Sequence, residues 1–560
     1  MGQLQLMSGS RYRATAAAQA LHTVPLSAER GSIFDRSGRD LALSIERETV
    51  YADPTLVADP VSEAAKLAPV LHVSERYLRA QLSDRPHRFE YLARAVDDNA
   101  AAAARALNLP GIGFVPESAR TYPAGSLAGA IIGRVGTDGN GLDGVEYLYD
   151  KILAGSPGEL VLEQDPEGHD IPGTERTRVD AQRGTDVELT IDQDLQWQTE
   201  SSLLDQVVAQ GAKGGMAVVV DVQTGDVLAM ASVHGADHTR PAGLAGPDDR
   251  NTPLTDLFEP GSTNKLITIS WALEHGNVAP DTMFDVPYAI RLDAHDKPYR
   301  DAEWHPREAW TTGDILRESS NVGTIEIAQR MTNREMADGL RAFGLGKPTS
   351  VAWPYQPAGL LIDPSQYYAT GKYSTSIGYG VAVTGMQMLD AFATIANGGM
   401  TRPPHLLDAT IDARGRRHVA TVPASTRVVS ANTASIMTNM LEGVVDTGTG
   451  VCASVRGYKV AGKTGTAKKL LASGYSDRST MASFIGFAPA DHPRFAALVA
   501  LDEPSDNFAS VTAAPVWSEI MQAALIQYGV PPSDAKDTQY KRAHATAQAK
   551  GLNCAVPHGS

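Results

Sequence analysis

A short, largely apolar helix with a serine at its head is the strongest constraint that this sequence places on its fold. Pro260 and Gly261 form the kind of turn that opens a helix. Apolar residues then dominate from Leu266 to Leu273, and Gly276 offers a stop. A helix this apolar is expected to be buried. We therefore expect a core around it, with a first turn whose free N–H groups favour developing negative charge.

Ser262 and Lys265 lie three positions apart in this first turn. Residues at that spacing share one face of a helix, so the Lys265 amine is predicted to reach the Ser262 hydroxyl. A serine hydroxyl is a weak nucleophile at neutral pH and needs a base within hydrogen-bond reach. Burial disfavours an ammonium and lowers the pKa of Lys265 toward that of a usable base. The pair therefore predicts serine acyl-transfer chemistry.

Two further strings strengthen this prediction because they follow in a fixed order. They are Ser319-Ser320-Asn321 and Lys463-Thr464-Gly465-Thr466. A lone serine-x-x-lysine pattern is common by chance, whereas three such strings in this order are typical of serine acyltransferases. A purely structural alternative for Ser319 is to cap a helix that begins near Val322.

Size, charge and cysteine content limit the class of protein. At 560 residues the chain is too long for one typical core, so two or more domains are expected. The net charge of −16 argues against a nucleic-acid partner. The two cysteines, Cys452 and Cys554, are interpreted as a buried thiol and a tail thiol, with one bridge between them as the alternative. The sequence predicts no metal site and no cofactor.

Apolar runs in this chain are too short or too interrupted to cross a bilayer. The nearest candidate, 381–400, contains Asp390 and has the periodicity of a core helix. Residues 1–28 contain no signal-peptide core. As it stands, the chain is therefore expected to be soluble.

Two structural units are predicted along the chain. Residues from about 21 to 194 form short segments punctuated by Gly and Pro, with helices within 62–104, and a connecting helix follows at 195–210. The second unit begins with a hairpin and ends with three strands and a helix, at 216–220, 227–231, 458–461, 481–487, 495–501 and 511–528. This order predicts an antiparallel sheet with helices on its faces and the Ser262 helix at its centre. The tail after Pro531 is expected to fray.

The chain resembles the class B penicillin-binding proteins, the monofunctional peptidoglycan D,D-transpeptidases. Residues 259–263 match the nucleophile segment of that family, and residues 30–38 with Leu41 and Ala42 match the opening of its pedestal domain. Later pedestal motifs are matched by 120–123, Gly136, Gly141, Gly144, Glu146 and Tyr149. Residues 259–265 and the continuation Ser320-Asn321-Val322-Gly323 resemble the septal, division-associated subgroup, especially its actinobacterial members.

This resemblance implies a multidomain α+β architecture. A transpeptidase domain, with a five-stranded antiparallel sheet flanked by helices and a helical subdomain, stands on an elongated N-terminal pedestal. The implied boundaries are a juxtamembrane remnant at 1–20, a pedestal of dimerisation type at 21–195, a transpeptidase domain at 196–530 and a flexible tail at 531–560. Family members carry a membrane anchor before the pedestal, so this chain is interpreted as a truncated ectodomain from the extracytoplasmic face of the bacterial plasma membrane.

The resemblance also implies roles for the first two strings. Ser262 attacks the carbonyl of the penultimate D-Ala of a stem peptide, forms an acyl-enzyme and releases the terminal D-Ala. Lys265 takes and returns the proton of Ser262. Ser319 relays a proton to the leaving group, and Asn321 holds both Lys265 and the substrate amide.

The third string is expected to bind the substrate. Lys463 attracts the substrate carboxylate and helps to keep Lys265 neutral. Thr464 and Thr466 donate hydrogen bonds to that carboxylate, while Gly465 leaves space for the substrate along the strand edge. The backbone N–H groups of Ser262 and Thr466 form the oxyanion hole.

The partners implied by the family are peptidoglycan stem peptides, β-lactams as covalent inhibitors, a membrane glycosyltransferase and other division proteins. No nucleic-acid partner is expected. The chain departs from the usual family pattern at Lys468, Lys469 and 353–356, which bears on the substrate groove.

Some of these residues have a purely structural interpretation, and two other functions would fit the three strings. Arg30, Asp35 and Arg36 are interpreted as a salt-bridged structural turn. His305 follows Asp301 and Trp304 but lacks a second histidine at ligand spacing, so a surface loop is favoured over a metal site. A β-lactam hydrolase or sensor would share the three strings, but such enzymes are smaller and lack a pedestal. A catalytically weak division scaffold is disfavoured because every motif residue is intact.

Overall fold

The computed structural model describes residues 21–26, 28–84, 87, 89–163, 177–236, 245–292, 297–367, 371–471 and 474–557. The predicted juxtamembrane remnant at 1–20 lies outside these residues. Within them, none of the helices is both long and apolar enough to span a membrane.

The N-terminal region is built from short strands and short helices. Three of its helices begin at side chains that accept hydrogen bonds from free N–H groups of the first turn, namely Asp59, Ser74 and Asp97. The strands are β1 (Leu21–Leu26), β2 (Ile33–Phe34), β3 (Asp40–Ala52), β4 (Glu90–Val96), β5 (Ile112–Thr121), β6 (Gly158–Glu163), β7 (Thr177–Val179) and β8 (Asp186–Leu189). The helices are α1 (Pro60–Leu71), α2 (Glu75–Leu82), α3 (Asp98–Ala106), α4 (Gly129–Ile132), α5 (Gly144–Leu148) and α6 (Asp150–Leu153).

The remainder of the chain alternates long strands with buried helices. Its strands are β9 (Gly214–Asp221), β10 (Val227–His234), β11 (Gly246–Pro247), β12 (Met283–Val286), β13 (Ala289–Ile290), β14 (Tyr299–Arg300), β15 (Glu308–Thr311), β16 (Leu407–Ile411), β17 (Arg417–Val419), β18 (Ala461–Leu471), β19 (Gly474–Ala488) and β20 (Phe495–Asp502). Its helices are α7 (Gln193–Ala209), α8 (Thr252–Thr255), α9 (Lys265–Glu274), α10 (Thr312–Arg317), α11 (Asn321–Gln329), α12 (Asn333–Ala342), α13 (Gly371–Ser376), α14 (Gly385–Ala396), α15 (Ala431–Asp446), α16 (Ala509–Gln527) and α17 (Thr538–Ala549).

The central sheet of the second region is antiparallel, with the order β11-β10-β9-β20-β19-β18. Alternate residues of β9 enter opposite layers, as strand geometry requires. Met216 and Val218 pack in the same core as Leu266 and Ile269 of α9, whereas Val219 packs with Trp517 of α16. The predicted sheet with α9 buried on one face is confirmed. The short strand β11 is a sixth strand beside the five that were predicted.

A second sheet joins the two sequence regions. Its order is β17-β16-β8-β2-β3-β4, and β5 pairs with β3. Strand β16 runs antiparallel to β8, with Thr410 opposite Val187, so a hairpin from the second region completes a sheet of the first. The stretch predicted to be helical at 62–104 also contains a strand, because β4 pairs with β3 through Val50 and Ala93.

The C-terminal tail departs from the sequence expectation. Fraying was expected there, but among the described residues α17 buries Ala543 and Ala547 in the core that contains Trp517. Cys452 and Cys554 form a disulfide across 102 residues, so the interpretation as two free thiols is wrong. Small alanine side chains give little local sign of burial, and a pairing over that separation is decided only by the folded chain.

Candidate active site

Ser262 lies in a 3-10 turn, Gly261–Asn264, and not in the α-helix that the sequence predicts there; α9 begins at Lys265. Residues three apart eclipse one another in a 3-10 turn, so Ser262 and Lys265 still share a face. The turn depends on close backbone contact. Gly261 has φ +54 and donates its N–H to the carbonyl of Gly378, and a Cβ on Gly378 would lie 2.1 Å from the Gly261 oxygen.

Lys265 is completely buried, and its amine contacts the second string. Nζ donates to the Ser319 carbonyl at 2.5 Å, to Oδ1 of Asn321 at 2.8 Å and to Oγ of Ser319 at 3.4 Å. Among the described residues it makes no hydrogen bond to Ser262, unlike the direct contact that the spacing predicts. Burial lowers the pKa of Lys265 to about 7, with Asp301 opposing the shift.

Ser319 has a strained backbone, with φ +57 in the left-handed region. This conformation turns both its carbonyl and its hydroxyl toward the two lysines. The helix cap is its neighbour Ser320, whose Oγ accepts the Gly323 N–H at 2.8 Å at the start of α11. The structural alternative in which Ser319 caps this helix is therefore wrong.

Lys463 on β18 is also completely buried. Its Nζ donates to Oγ of Ser319 at 2.8 Å and to the Thr464 carbonyl at 3.1 Å. Burial, and next the nearby Lys265, hold the pKa of Lys463 well below its usual range. The hydroxyl of Ser319 thus lies between two amines, which makes it a suitable proton relay.

The remaining residues of the third string differ in exposure. Oγ1 of Thr464 is 2.7 Å from Oγ1 of Thr449, and Thr464 is buried, whereas Thr466 is exposed. A Cβ on Gly465 would lie 2.6 Å from Oγ of Ser483 and 2.9 Å from Cγ2 of Thr263. Gly465 therefore lets β18 pack closely against the 3-10 turn that contains Ser262. The prediction, which considered only space for the substrate, missed this role.

Two carboxylates near the site were not predicted. Glu259 accepts hydrogen bonds from the Gly380 N–H at 2.6 Å and the Tyr475 hydroxyl at 2.9 Å, and burial raises its pKa. Asp301 is only 8% exposed and lies under the start of α11. The surface-loop interpretation of His305 fits the exposed residues 302–304, whereas His305 itself is half-buried. The partners of Glu259, and those of Asp301 other than His305, lie far along the chain, so the sequence does not show these contacts.

The described residues contain one group of three possible metal ligands, Asp84, His87 and Glu90. It belongs to the N-terminal region, whereas the three strings belong to the second region. The candidate active site itself combines serine, lysine and asparagine side chains, which suit acyl transfer without a metal.

Comparison with known proteins identifies the family. Residues 215–522 match the penicillin binding protein transpeptidase domain, and residues 25–189 match the penicillin-binding protein dimerisation domain. The chain is 35% identical to penicillin-binding protein PbpB of Mycolicibacterium smegmatis, over 95% of this chain and 88% of that protein. It is 34% identical to peptidoglycan D,D-transpeptidase FtsI of Escherichia coli K12, over 95% of this chain and 89% of that protein.

Solved structures give the same result. A peptidoglycan synthetase from Bifidobacterium adolescentis superposes with a TM-score of 0.73 at 32% identity, covering 92% of this chain and 98% of that one. Penicillin binding protein 3 from Mycobacterium tuberculosis, complexed with aztreonam, superposes with a TM-score of 0.71 at 30% identity, covering 91% of this chain and 99% of that one. The chain belongs to the class B penicillin-binding proteins, with a dimerisation domain before its transpeptidase domain.

Proposed function

We propose that this chain is a peptidoglycan D,D-transpeptidase in which Ser262 is the nucleophile and Lys265 its base. The observation that carries the proposal is the completely buried Lys265 amine, whose pKa is lowered to about 7 one turn after Ser262. An amine with this pKa is substantially neutral at physiological pH and can take a proton from a serine hydroxyl.

The proposed acylation step begins at the carbonyl carbon of the penultimate D-Ala. Oγ of Ser262 attacks this carbon and passes its proton to Lys265. The C–N bond to the terminal D-Ala then breaks, and Ser319 delivers a proton to the departing amine. The hydrogen bonds from Lys265 and Lys463 to Ser319 support this route because they join both amines to one hydroxyl.

Deacylation completes the crosslink. An amine of a neighbouring stem peptide attacks the ester carbonyl, the ester C–O bond breaks, and Ser262 regains its proton. Strand β18 is the outermost strand of its sheet, so a peptide can add along its free edge. We assign the oxyanion hole to the N–H groups of Ser262 and Thr466, and carboxylate binding to Thr464, Thr466 and Lys463.

The biological setting is proposed from the relatives. PbpB and FtsI share almost the whole length of this chain, and FtsI is named as a peptidoglycan D,D-transpeptidase. The aztreonam and ampicillin complexes of penicillin binding protein 3 support acylation by β-lactams. We assign the chain to septal cell-wall synthesis, with an N-terminal membrane anchor and with a membrane glycosyltransferase and division proteins as partners.

Acylation by a fluorescent penicillin tests the proposal. The chain should acquire one slowly decaying adduct, seen by intact mass and mapped by peptide to Ser262, and Ser262→Ala should remain unlabelled. Equal labelling of both proteins, or none of the unchanged chain, overturns the assignment. Rapid turnover of the penicillin would instead identify a β-lactam hydrolase.

A further inference from the structure

Asp301 gathers four hydrogen bonds beneath the candidate active site. Oδ1 accepts the backbone N–H groups of Asn321 at 2.5 Å and Val322 at 3.0 Å. Oδ2 accepts Oγ of Ser320 at 2.8 Å and Nε2 of His305 at 2.9 Å. Free N–H groups at a helix start attract a carboxylate, so Asp301 anchors the first turn of α11 from another segment of the chain.

The neighbouring residue controls the Asn321 side chain. The carbonyl of Arg300 accepts Nδ2 of Asn321 at 2.9 Å, which turns Oδ1 toward Nζ of Lys265 at 2.8 Å. Arg300 and Asp301 together therefore hold both the backbone and the amide of the residue that contacts the proposed base.

His305 in turn holds Asp301. Its Nε2 faces Oδ2 of Asp301 at 2.9 Å, and its Nδ1 faces the carbonyl of Pro306 at 2.7 Å. Both partners are acceptors, and only an imidazolium donates from both nitrogens. Burial opposes this charge, but the hydrogen bonds to Asp301 and Pro306 outweigh it and raise the pKa of His305. The ring lies 4.5 Å from that of Trp310, which fixes its plane.

We propose that Asp301 and His305 are positioning residues for the acylation of Ser262. Asp301 fixes the turn that presents Asn321 to Lys265, and His305 fixes Asp301 while balancing its negative charge. The proposal rests on the proposed function, because it assumes that Lys265 acts as the base. It concerns residues that touch neither the substrate nor Ser262 and that act through Asn321.

Other charged side chains surround Asp301 and His305. Lys265 lies on α9 and Lys463 on β18, with Glu318 beyond the end of α10. Glu326 on α11 interacts with Asp301, and Glu308 on β15 interacts with His305. Further out, Asp285, Arg307 and Arg330 act on Glu326. Among these charged side chains, His305 contacts Asp301 directly. Asp301 is an anion and His305 a cation, so removing one charge or the other should shift the pKa of Lys265 in opposite directions.

The test is the pH profile of penicillin acylation in the full chain. Asp301→Asn keeps an acceptor but removes the charge, so the maximal rate should fall about 10- to 100-fold as Asn321 shifts. The rising limb should also move to lower pH, because Lys265 loses a neighbouring anion. His305→Gln keeps a donor to Asp301 but removes the positive charge. Its maximal rate should stay within about threefold, and its rising limb should move to higher pH.

Glu303→Gln is the matched control, since Glu303 is an exposed carboxylate in the same segment. It should leave the rate and the profile unchanged. Opposite shifts for the other two variants support the proposal, because a general structural defect lowers the rate without moving the limb. A profile for Asp301→Asn that equals that of Glu303→Gln overturns the proposal. Loss of rate in both variants with an unmoved limb also overturns it.

Two features of the design keep its outcomes separate. If Asp301→Asn does not fold, the direction of the His305→Gln shift decides alone, and an unmoved limb there overturns the proposal. Absence of labelling in the unchanged chain refutes the proposed function itself and not only the positioning pair.

Discussion

Two groups of buried basic side chains in this protein have opposite surroundings. In the N-terminal region, Nε of Arg30 and Nε of Arg120 donate to the two oxygens of the completely buried Glu146, at 2.7 and 2.6 Å. Arg30 also bonds Asp150 at 2.7 Å. In the active site, Lys265 and Lys463 are completely buried, but the hydrogen bonds that they make within the described residues go to carbonyl, hydroxyl and amide oxygens.

This contrast separates stabilising charges from reactive ones. A buried arginine with its own carboxylate stays charged and ties strands and helices together. Burial of a lysine without a carboxylate partner disfavours its ammonium form, so the neutral amine is available to act as a base. Arg30, Asp35 and Arg36 were interpreted as a salt-bridged structural turn. All three form ion pairs, but none pairs with another of the three, and Arg30 pairs with Glu146 and Asp150 far along the chain.

Replacing Lys265 should give the largest effect. Lys265→Met removes the amine but keeps a chain of similar length. We expect acylation of Ser262 by penicillin to fall about 10²- to 10⁴-fold because the proposed base is lost. The midpoint of urea unfolding should stay the same or rise, because an apolar side chain replaces a buried amine whose charged form is poorly solvated. Labelling kinetics and urea unfolding measure the two quantities. A large loss of stability would remove the distinction between the two groups.

Replacing the carboxylate of the paired group should have the reverse effect. Glu146→Gln leaves Arg30 and Arg120 without their shared anion, which we expect to lower the free energy of unfolding by about 3–5 kcal/mol. The acylation rate of folded protein should change less than about twofold, because Glu146 belongs to the N-terminal region and the three strings belong to the second region. Denaturant unfolding measures the free energy of unfolding, and penicillin labelling at low temperature measures the acylation rate. A strong loss of acylation in fully folded protein would show that the cluster of Arg30, Arg120 and Glu146 also supports the active site.

The pH dependence of the unchanged chain sharpens the comparison further. Since only neutral Lys265 can accept a proton, the acylation rate should rise about tenfold per pH unit below about pH 7 and level off above it. The same shift affects stability. Between pH 7 and the ordinary pKa of 10.5 the unfolded chain keeps a proton that the folded chain has lost, so stability should increase with pH across this window. The Lys265→Met protein should lack this contribution. A rate that is flat from pH 5 to 9 contradicts the assignment.

A surface ion pair provides the smallest effect and the matched control. Arg307 and Asp285 are 2.6 Å apart, as close as Arg120 and Glu146, but their side chains are 63% and 67% exposed. Asp285→Asn should therefore change the free energy of unfolding by less than about 0.5 kcal/mol. Urea unfolding in parallel with Glu146→Gln makes the comparison. Equal losses would mean that distance and not burial decides the worth of an ion pair.

Much of the fold could be predicted because it follows from short, regular patterns. The apolar residues from Leu266 to Leu273 indicated the buried helix, and the hairpin at 216–231 and the last two strands followed from their apolar runs. The strand predicted at 458–461 was misplaced, because β18 begins only at Ala461 and runs on through the third string to Leu471. The three strings were found from residue type and order alone. The structure brings Lys265, Ser319, Asn321 and Lys463 into contact, although the expected contact between Lys265 and Ser262 is replaced by one to Ser319.

Other features could not be predicted because their partners are distant in the sequence. Asp301 contacts a helix that begins 20 residues later, and Cys452 pairs with Cys554 across 102 residues. Strand β16 leaves its own region to pair with β8. Gly465 has a role that only the approach of β18 to Thr263 reveals.

The sequence by itself determined which chemistry this protein carries: a serine three positions before a lysine, followed by the two strings that complete the set. Tertiary structure alone decided the state of that chemistry. Burial without a carboxylate partner lowers the pKa of Lys265 to about 7, and distant residues supply both the burial and the oxygens that hold the amine. The physical reason is that a residue's identity is local, whereas its desolvation and its electrostatic surroundings depend on every segment packed around it.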